Sequence, residues 1–405
     1  MKYVERDLED QISKYLAKKE IIAVVGVRQC GKTTLVNKIL DDQEAKGLRV
    51  SRVSFDNLKV LRLFEEDIDS FIELYAADYD FLFIDEVHYS KEGGKKLKYL
   101  HDTQPVKVFI SGSSAADISV QSLKYLVGRI VILELYPFSF REFLRAKEPR
   151  LVPLYDRATY KTEILTTLNN HLHEFILYGG FPRVVTEKDE DEKKIILENI
   201  YDTLLLREIR ELLDLSEDYK LTTLLKTLSL QIGQTLEYAS LSETTGLSYA
   251  DLKKHLNVLD KTYICKPVTP YYTNKRKELV KSPKIYFTDT GFRNTCIDNF
   301  SQERTDRGAL YENFIYSELL KNRVTPRYWR TKSQAEVDFI LEDNGKPIPV
   351  ELKSALKSEK LTRSYHSFRE KYKPPKGYVL SLEFEKQKEN TYYTPFAKFI
   401  PNLKK

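Results

Sequence analysis

The feature that most constrains the fold is the run Gly26–Thr33, GVRQCGKT, in which glycine stands first and sixth and Lys-Thr closes the run. The apolar run Ile21–Val25 precedes it, and a segment with helical spacing of Leu35, Val36 and Ile39 follows. Glycines let successive backbone N–H groups turn toward one point, and the following helix directs its positive end there. This order of strand, turn and helix matches the phosphate-binding loop pattern. It predicts an α/β domain built around a bound triphosphate.

An acidic pair after another apolar run completes the nucleotide pattern. Asp85 and Glu86 follow Phe81–Ile84, so in a parallel sheet they lie at the carboxyl edge, where ligands bind. We expect Asp85 to hold Mg²⁺, partly through water, and Glu86 to polarise the attacking water as a general base. Lys32 is expected to reach the β- and γ-phosphates, and the Thr33 hydroxyl to bind Mg²⁺. The predicted cofactors are ATP and Mg²⁺, and the predicted nucleotide-binding residues are Gly26, Gly31, Lys32, Thr33, Thr34 and Asp85.

Five short apolar runs indicate the strands of this unit. Longer stretches with helical spacing separate most of them, a pattern typical of a parallel sheet covered on both faces. A Tyr-Pro-Phe turn at 136–138 is expected to end the unit. The runs are Ile21–Val25, Val50–Phe55, Phe81–Ile84, Val106–Ser111 and Ile130–Leu135.

Two more residues join Glu86 in the predicted catalytic set. Ser113 follows a strand and could contact the γ-phosphate or the water; a solvated loop serine is the alternative. Arg129 precedes another strand and could stabilise charge on the transferring phosphate, in the same chain or across a subunit interface. A surface arginine is the alternative for Arg129.

Five motifs together resemble one bacterial and archaeal family of AAA+ ATPases, in which an AAA domain precedes a C-terminal domain of unknown function. The motifs are GVRQCGKTTL, FIDEVH, SGSSA, LVGRI and YGGFPRVV. The resemblance implies a P-loop AAA+ parallel-sheet core at 1–137 and a helical lid at 138–215. It further implies a winged-helix-like segment at 216–290 and a nuclease-like α/β domain at 291–405.

The segment 241–259 has helix-turn-helix spacing. Ser248 is expected to cap a helix Tyr249–Leu259, with Leu252, Leu256 and Leu259 on its core face. A basic, Tyr-rich stretch follows and could track phosphates, so DNA contact and protein contact both stay open. The residues expected on the outer face of the helix are Lys253, Lys254 and His255. The basic residues of the stretch that follows are Lys275, Arg276, Lys277, Lys281 and Lys284.

The runs 335–341 and 348–353 alternate apolar and polar residues around Asn344-Gly345, which predicts a β-hairpin. Its register pairs Asp343 with Lys346 and, farther along, Asp338 with Glu351. Two opposed carboxylates repel unless they are protonated or bridged by a cation. The hairpin therefore favours a Mg²⁺ or Mn²⁺ site.

Asp338, Glu351 and Lys353 also have the spacing of the PD-(D/E)XK nuclease pattern, which the family's C-terminal domain resembles. The resemblance implies that the two carboxylates hold metal and that Lys353 orients or activates water. A preceding helical glutamate completes the metal set; Glu312 matches best, and Glu318 is its rival.

The hairpin leaves two functions open. In the first, a Mg²⁺-dependent ATPase moves its lid and winged helix against a nuclease-like domain that acts on DNA. In the second, Glu336 pairs with Lys353, the domain is catalytically dead, and ATP binding switches a protein-interaction or assembly state. A homo-oligomer is compatible with Arg129 acting across subunits.

Composition narrows the class of protein. The 405 residues suggest two to three domains at roughly 150 residues each. A net charge of +5 is too small to indicate nucleic-acid binding, so any basic surface must be local. Three cysteines without a CxxC pair argue against a disulfide framework or a zinc site. Without a membrane-length apolar run or a signal-peptide pattern, we expect a cytoplasmic protein with no membrane partner.

Overall fold

The structure is a computed structural model that describes residues 3–112, 125–204, 209–213, 219–273, 278 and 281–403. It forms two compact units, one of Met1–Pro137 with Lys261–Tyr263 and one of Phe138–Asp260 with Ile264–Lys405. The finer division at 138–215, 216–290 and 291–405 stays a prediction. Among the described residues, none of the helices has both the length and the apolar character that crossing a bilayer requires.

A five-stranded parallel sheet forms the centre of the first unit, in the order β2-β3-β4-β1-β5. Every residue of β1 is buried, as expected for a central strand with helices on both faces. All five predicted runs form strands, so the predicted fold class is confirmed. The strands are β1 Ile21–Val25, β2 Val50–Ser54, β3 Phe81–Asp85, β4 Lys107–Gly112 and β5 Ile130–Glu134.

The helices of this unit bury apolar stripes against the sheet. In the helix after the glycine-rich run, Leu35, Val36 and Ile39 are buried, as their spacing predicts. The described helices are α1 Glu9–Ser13, α2 Lys32–Glu44, α3 Leu58–Glu66, α4 Ile68–Tyr75 and α5 Gly93–Thr103, with a 3₁₀ turn at Val87–Tyr89.

The second unit begins with helices. A 3₁₀ turn at Pro149–Leu151 separates the first two, and Lys261, the last residue of α14, belongs to the first unit. The described helices are α6 Phe140–Lys147, α7 Val152–Arg157, α8 Thr162–Tyr178, α9 Pro182–Thr186, α10 Glu190–Thr203, α11 Arg210–Leu213, α12 Tyr219–Leu230, α13 Tyr238–Thr245, α14 Tyr249–Lys261, α15 Thr290–Cys296, α16 Arg307–Lys321, α17 Arg363–Tyr372 and α18 Phe396–Leu403.

Two sheets complete this unit. One is the antiparallel pair β6–β7, and the other has six strands in the order β12-β13-β11-β10-β9-β8. In chain order, α16 is followed by β8, β9 and β10, which pair with one another in antiparallel fashion. The helix α17 comes next, and β11 then pairs with β10 in parallel. The strands are β6 Cys265–Val268, β7 Lys284–Phe287, β8 Arg327–Arg330, β9 Glu336–Asp343, β10 Lys346–Leu352, β11 Gly377–Ser381, β12 Lys386–Lys388 and β13 Thr391–Pro395.

The helix-turn-helix spacing yields two helices, α13 and α14, joined through Gly246 at φ +66°. Ser248 caps α14 by accepting the Asp251 N–H at 3.1 Å. The expectation that His255 faces outward is wrong. It is 3% exposed, because it lies three residues after the buried Leu252 on the same helix face.

Candidate functional site

The glycine-rich run adopts a conformation that only glycine tolerates at its first position. Gly26 has φ +152°, and a Cβ there would lie 1.9 Å from the carbonyl oxygen of Leu135. Lys32 is buried, and its ammonium donates to the carbonyl oxygens of Gly26 at 2.8 Å and Val27 at 3.1 Å. The cation thus already lies over the loop that the pattern assigns to phosphate.

Thr33 and Asp85 join the two predicted nucleotide motifs. The Thr33 hydroxyl donates to Asp85 Oδ2 at 3.0 Å, and Ser111, at the end of β4, donates to the other carboxylate oxygen. Hydroxyl and carboxylate oxygens are ligands that Mg²⁺ accepts, so this donor set fits the ion that the motifs imply. Thr34 lies next to Thr33 in α2 and is exposed.

Glu86 occupies a strained backbone position beside this group. Its φ of +54° is left-handed, and its N–H donates to Asp85 Oδ1 and to Ser111 Oγ, both at 3.2 Å. His88 Nδ1 lies 3.1 Å from Glu86 Oε2. Burial raises the pKa of Glu86, but His88, Lys32 and Arg28 outweigh it, and the pKa is lowered. The side chain is therefore a carboxylate at neutral pH, the form a general base requires.

A buried arginine, which no motif in the sequence indicates, braces the loop. Arg6 is 5% exposed, and its guanidinium donates to the carbonyl oxygens of Cys30 at 2.9 Å and Tyr136 at 2.7 Å. Cys30 also donates through its thiol to the Leu135 carbonyl at 3.3 Å. The loop is thus tied to the segment that follows β5.

Two predicted catalytic residues are not placed at this loop. Ser113 lies outside the described residues, and Ser111 is the described serine that contacts Asp85. Arg129 lies at the opposite, amino edge of the sheet, where its guanidinium donates to Asp102 at 2.8 and 3.1 Å. The length of β1, about 16 Å, separates that edge from the loop. This corrects the expectation that Arg129 reaches a nucleotide in its own chain; a role across subunits stays a prediction.

The C-terminal hairpin forms in the predicted register, from Asp343–Lys346 to Phe339–Val350. The ladder ends one residue before the predicted pair of Asp338 and Glu351. There, Asp338 Oδ2 accepts the N–H of Leu352 at 2.7 Å.

A buried lysine supplies the cation of the hairpin's acidic cluster. Lys284, one of the basic residues expected to track phosphates, is 1% exposed, and its ammonium lies 2.6 Å from Glu336 and 3.3 Å from Glu312. Burial lowers the pKa of Lys284, but the two carboxylates outweigh it and hold the pKa above its ordinary value. Burial, together with Glu312 and Glu351, raises the pKa of Asp338 despite the nearby Lys284.

The remaining acidic residues have different partners from those expected. Glu351 pairs with Lys353 at 2.8 Å, so the expected Glu336–Lys353 pair does not form. Glu318 accepts the N–H of Phe140 at 3.1 Å, which makes it a structural residue at the start of α6. Glu312 is therefore the helical glutamate near Asp338.

The C-terminal residues do not fit a metal site as they are arranged. Across the described ranges, no group of three or more His, Cys, Asp or Glu side chains is placed to hold a metal ion. The Lys284 ammonium already pairs with Glu312 and Glu336. This corrects the expectation of a Mg²⁺ or Mn²⁺ site formed by Glu312, Asp338 and Glu351.

One protein-family model matches the region that carries the nucleotide motifs. Residues 18–144 match the model described as an AAA domain. This match supports an AAA-type, ATP-binding domain in the first unit. Residues 169–303 and 307–399 match two further models, each described as a domain of unknown function.

Relatives of the chain carry no functional description. An uncharacterized protein of Haemophilus influenzae is 25% identical, over 79% of this chain and 79% of the relative. An uncharacterized protein of Methanocaldococcus jannaschii is 24% identical, over 97% of this chain and 87% of the relative. Among solved structures, the Walker-type ATPase of Pyrococcus abyssi aligns with a TM-score of 0.47 at 14% identity, over 73% of this chain and 96% of that chain.

Proposed function

We propose that the protein is a Mg²⁺-dependent ATPase whose AAA domain hydrolyses ATP and whose second unit binds DNA without cutting it. The observation that carries the ATPase proposal is the contact of Thr33 with Asp85, with the Glu86 carboxylate next to it. It joins a phosphate loop to an acidic pair at one sheet edge, the arrangement that positions a triphosphate and its water.

Each residue has one step in this proposal. Lys32 exchanges its bonds to the Gly26 and Val27 carbonyls for phosphate oxygens, so binding replaces neutral acceptors with charged ones. Thr33 and Asp85 hold Mg²⁺, which neutralises phosphate charge when bound. Glu86 accepts the proton of the attacking water, and His88 keeps that carboxylate ionised.

Phosphate release by the purified full chain tests the ATPase proposal. Asp85→Asn is expected to abolish Mg²⁺-dependent release, because the neutral amide is a weaker ligand for the ion. Asp102→Asn is the matched control: it removes a carboxylate at the opposite edge of the same sheet and should hydrolyse ATP normally. Equal rates in the two variants would refute the assignment of Asp85.

The DNA proposal rests on the C-terminal hairpin. This hairpin forms in the register predicted from the run that carries the nuclease-like pattern, between Asp343–Lys346 and Phe339–Val350. The proposal that the domain does not cut rests on Lys284, because its ammonium already pairs with Glu312, the helical glutamate of the expected metal set, and with Glu336. The winged-helix contact also belongs to this proposal, although Lys275, Arg276 and Lys277 lie outside the described residues.

A digestion assay supplemented with Mn²⁺ tests whether the domain cuts. Wild type and Asp338→Ala are expected to leave duplex DNA equally intact. Cleavage by wild type that disappears in Asp338→Ala would show an active nuclease and refute the non-cutting assignment.

A further inference from the structure

The segment 353–376 carries much more positive than negative charge. The whole chain has a net charge of only +5, so a concentration of this kind is local. The basic residues are Lys353, Lys357, Lys360, Arg363, Arg369, Lys371, Lys373 and Lys376, and the acidic ones are Glu359 and Glu370.

The first part of this segment is anchored beside the acidic cluster. Lys353, at its start, pairs with Glu351 Oε1 at 2.8 Å. Thr362, at its end, donates its hydroxyl to Glu351 Oε2 at 3.0 Å and also caps α17 by accepting the Tyr365 N–H at 3.1 Å. The loop 353–362 is therefore closed on one buried carboxylate.

Three cations of this anchored part have no internal counter-charge. Lys357, Lys360 and Arg363 are exposed. Within the described residues, no carboxylate lies at ion-pair distance from any of the three. We call the loop 353–362, together with Arg363 at the start of α17, the basic loop.

The acidic residue inside the basic loop is already neutralised. Glu359 is bridged by Lys386 and Lys388 of β12, the second at 3.4 Å. It therefore does not compensate the basic loop, and its two partners extend the positive surface to a neighbouring strand. A polyanion could bind here without breaking an existing ion pair of Lys357, Lys360 or Arg363.

We propose that the basic loop binds the phosphate backbone of double-stranded DNA. The inference rests on the proposed function, because DNA binding by the second unit is part of it. Exposed, unpaired lysine and arginine side chains contact phosphates without reading bases, so the binding is independent of sequence. Each phosphate contact also releases counterions, so the binding weakens steeply with salt.

Fluorescence anisotropy with a labelled DNA duplex, at several salt concentrations, tests the proposal on the full chain. The variant K357Q/K360Q/R363Q is expected to bind at least about tenfold more weakly at low salt. Its slope of log affinity against log salt should be shallower by about 2 to 3, since three phosphate contacts are lost.

A matched control variant loses the same number of positive charges at a different place in the segment. K371Q/K373Q/K376Q removes three positive charges at the other end of α17, about 15 Å away and beyond the Debye length at physiological salt. At physiological salt it should keep the wild-type affinity, and K357Q/K360Q/R363Q should not. ATP hydrolysis, measured in parallel, should be unchanged in both variants.

The outcomes separate the inference from the proposed function. Equal losses in the two triple variants would overturn the basic loop as the site, while DNA binding would stand. A wild type that hydrolyses ATP but binds no duplex would overturn both the basic loop and the DNA part of the proposed function, and would leave the ATPase part. Single-stranded RNA bound tenfold more tightly than duplex DNA would overturn the choice of DNA.

Discussion

Thr33 donates a hydrogen bond to Asp85 at 3.0 Å, and this contact joins residues 52 positions apart in the chain. It exists because β1 and β3 are parallel strands of one sheet, so the residues that follow each strand meet at the same edge. Glu86 is held beside this contact by its own N–H bonds to Asp85 and Ser111. Binding and hydrolysis can therefore be tested separately at neighbouring residues.

Glu86→Gln should bind ATP with wild-type affinity and hydrolyse it about 10²- to 10⁴-fold more slowly. The amide keeps the size of the side chain but cannot accept the proton of water. Single-turnover hydrolysis and equilibrium nucleotide binding, measured on one preparation, check both parts. Hydrolysis within a few-fold of wild type would remove Glu86 from the catalytic set.

Arg6→Ala should weaken nucleotide binding more than Arg6→Lys does. The truncation leaves the carbonyls of Cys30 and Tyr136 without their buried donor, which costs about 1–3 kcal/mol for each unpaired group. The loop then loses the hydrogen bonds that hold its backbone in the conformation expected to bind phosphate. Nucleotide affinity and urea unfolding, measured together, separate positioning from general stability.

Arg52→Ala is the control for this comparison. Arg52 belongs to β2 of the same sheet and pairs with Glu44 and Asp41, which are partly exposed. Its loss should leave nucleotide affinity unchanged. If Arg6→Ala also bound ATP normally, the bracing role would be refuted.

Lys284→Met should destabilise the second unit strongly, while Lys281→Met should not. Removing the buried ammonium leaves the partly buried Glu312 and Glu336 without their shared cation, a change that costs up to about 3–5 kcal/mol. Lys281 is exposed, so its substitution changes the charge equally without that penalty. Denaturant unfolding measures the stability of the two variants. Equal unfolding midpoints would contradict a structural role for Lys284.

Lys107 gives a pH dependence of defined sign. It is 7% exposed, and its ammonium donates to the carbonyl oxygens of Lys18 at 2.8 Å and Glu20 at 2.5 Å. Burial lowers the pKa of Lys107 from 10.5 to about 8. Between these values the unfolded chain binds the proton more tightly than the folded one, so this group makes stability rise with pH and fall as pH drops toward 8.

Lys107→Met should therefore flatten the profile of unfolding free energy between pH 8 and about 10.5. In that window, the slope of unfolding free energy against pH should differ between wild type and variant by up to about 1.4 kcal/mol per pH unit. Urea unfolding at several pH values measures it. Parallel profiles for the two proteins would contradict a lowered pKa.

Local patterns in the sequence were enough to predict the elements that carry the nucleotide site. The runs around Gly26 and Asp85 predicted strand ends, and the alternation around Asn344-Gly345 predicted the register from Asp343 to Phe339. Periodicity and turn residues set these features, and both are read within a few residues of chain.

Contacts between distant segments could not be predicted in this way. Arg6 meets Tyr136 across 130 positions, and Lys284 meets Glu312 across 28. A lysine in a basic stretch reads as solvated, and only the packing of β7 against α16 shows that Lys284 is buried. Arg129 is a different case, because it precedes its strand. The rule that puts Asp85 at the carboxyl edge of the sheet puts Arg129 at the amino edge, away from the nucleotide.

Calorimetric titration of the full chain with ATP in the presence of Mg²⁺ tests the central claim most directly. We predict saturable binding heat for wild type, and for Lys32→Ala a loss of affinity of roughly 10- to 100-fold, since a hydrogen bond to a charged group contributes about 1.5–3 kcal/mol. No binding heat with wild type, or equal affinity in the two proteins, would contradict the assignment of the Gly26–Thr33 loop as the nucleotide site.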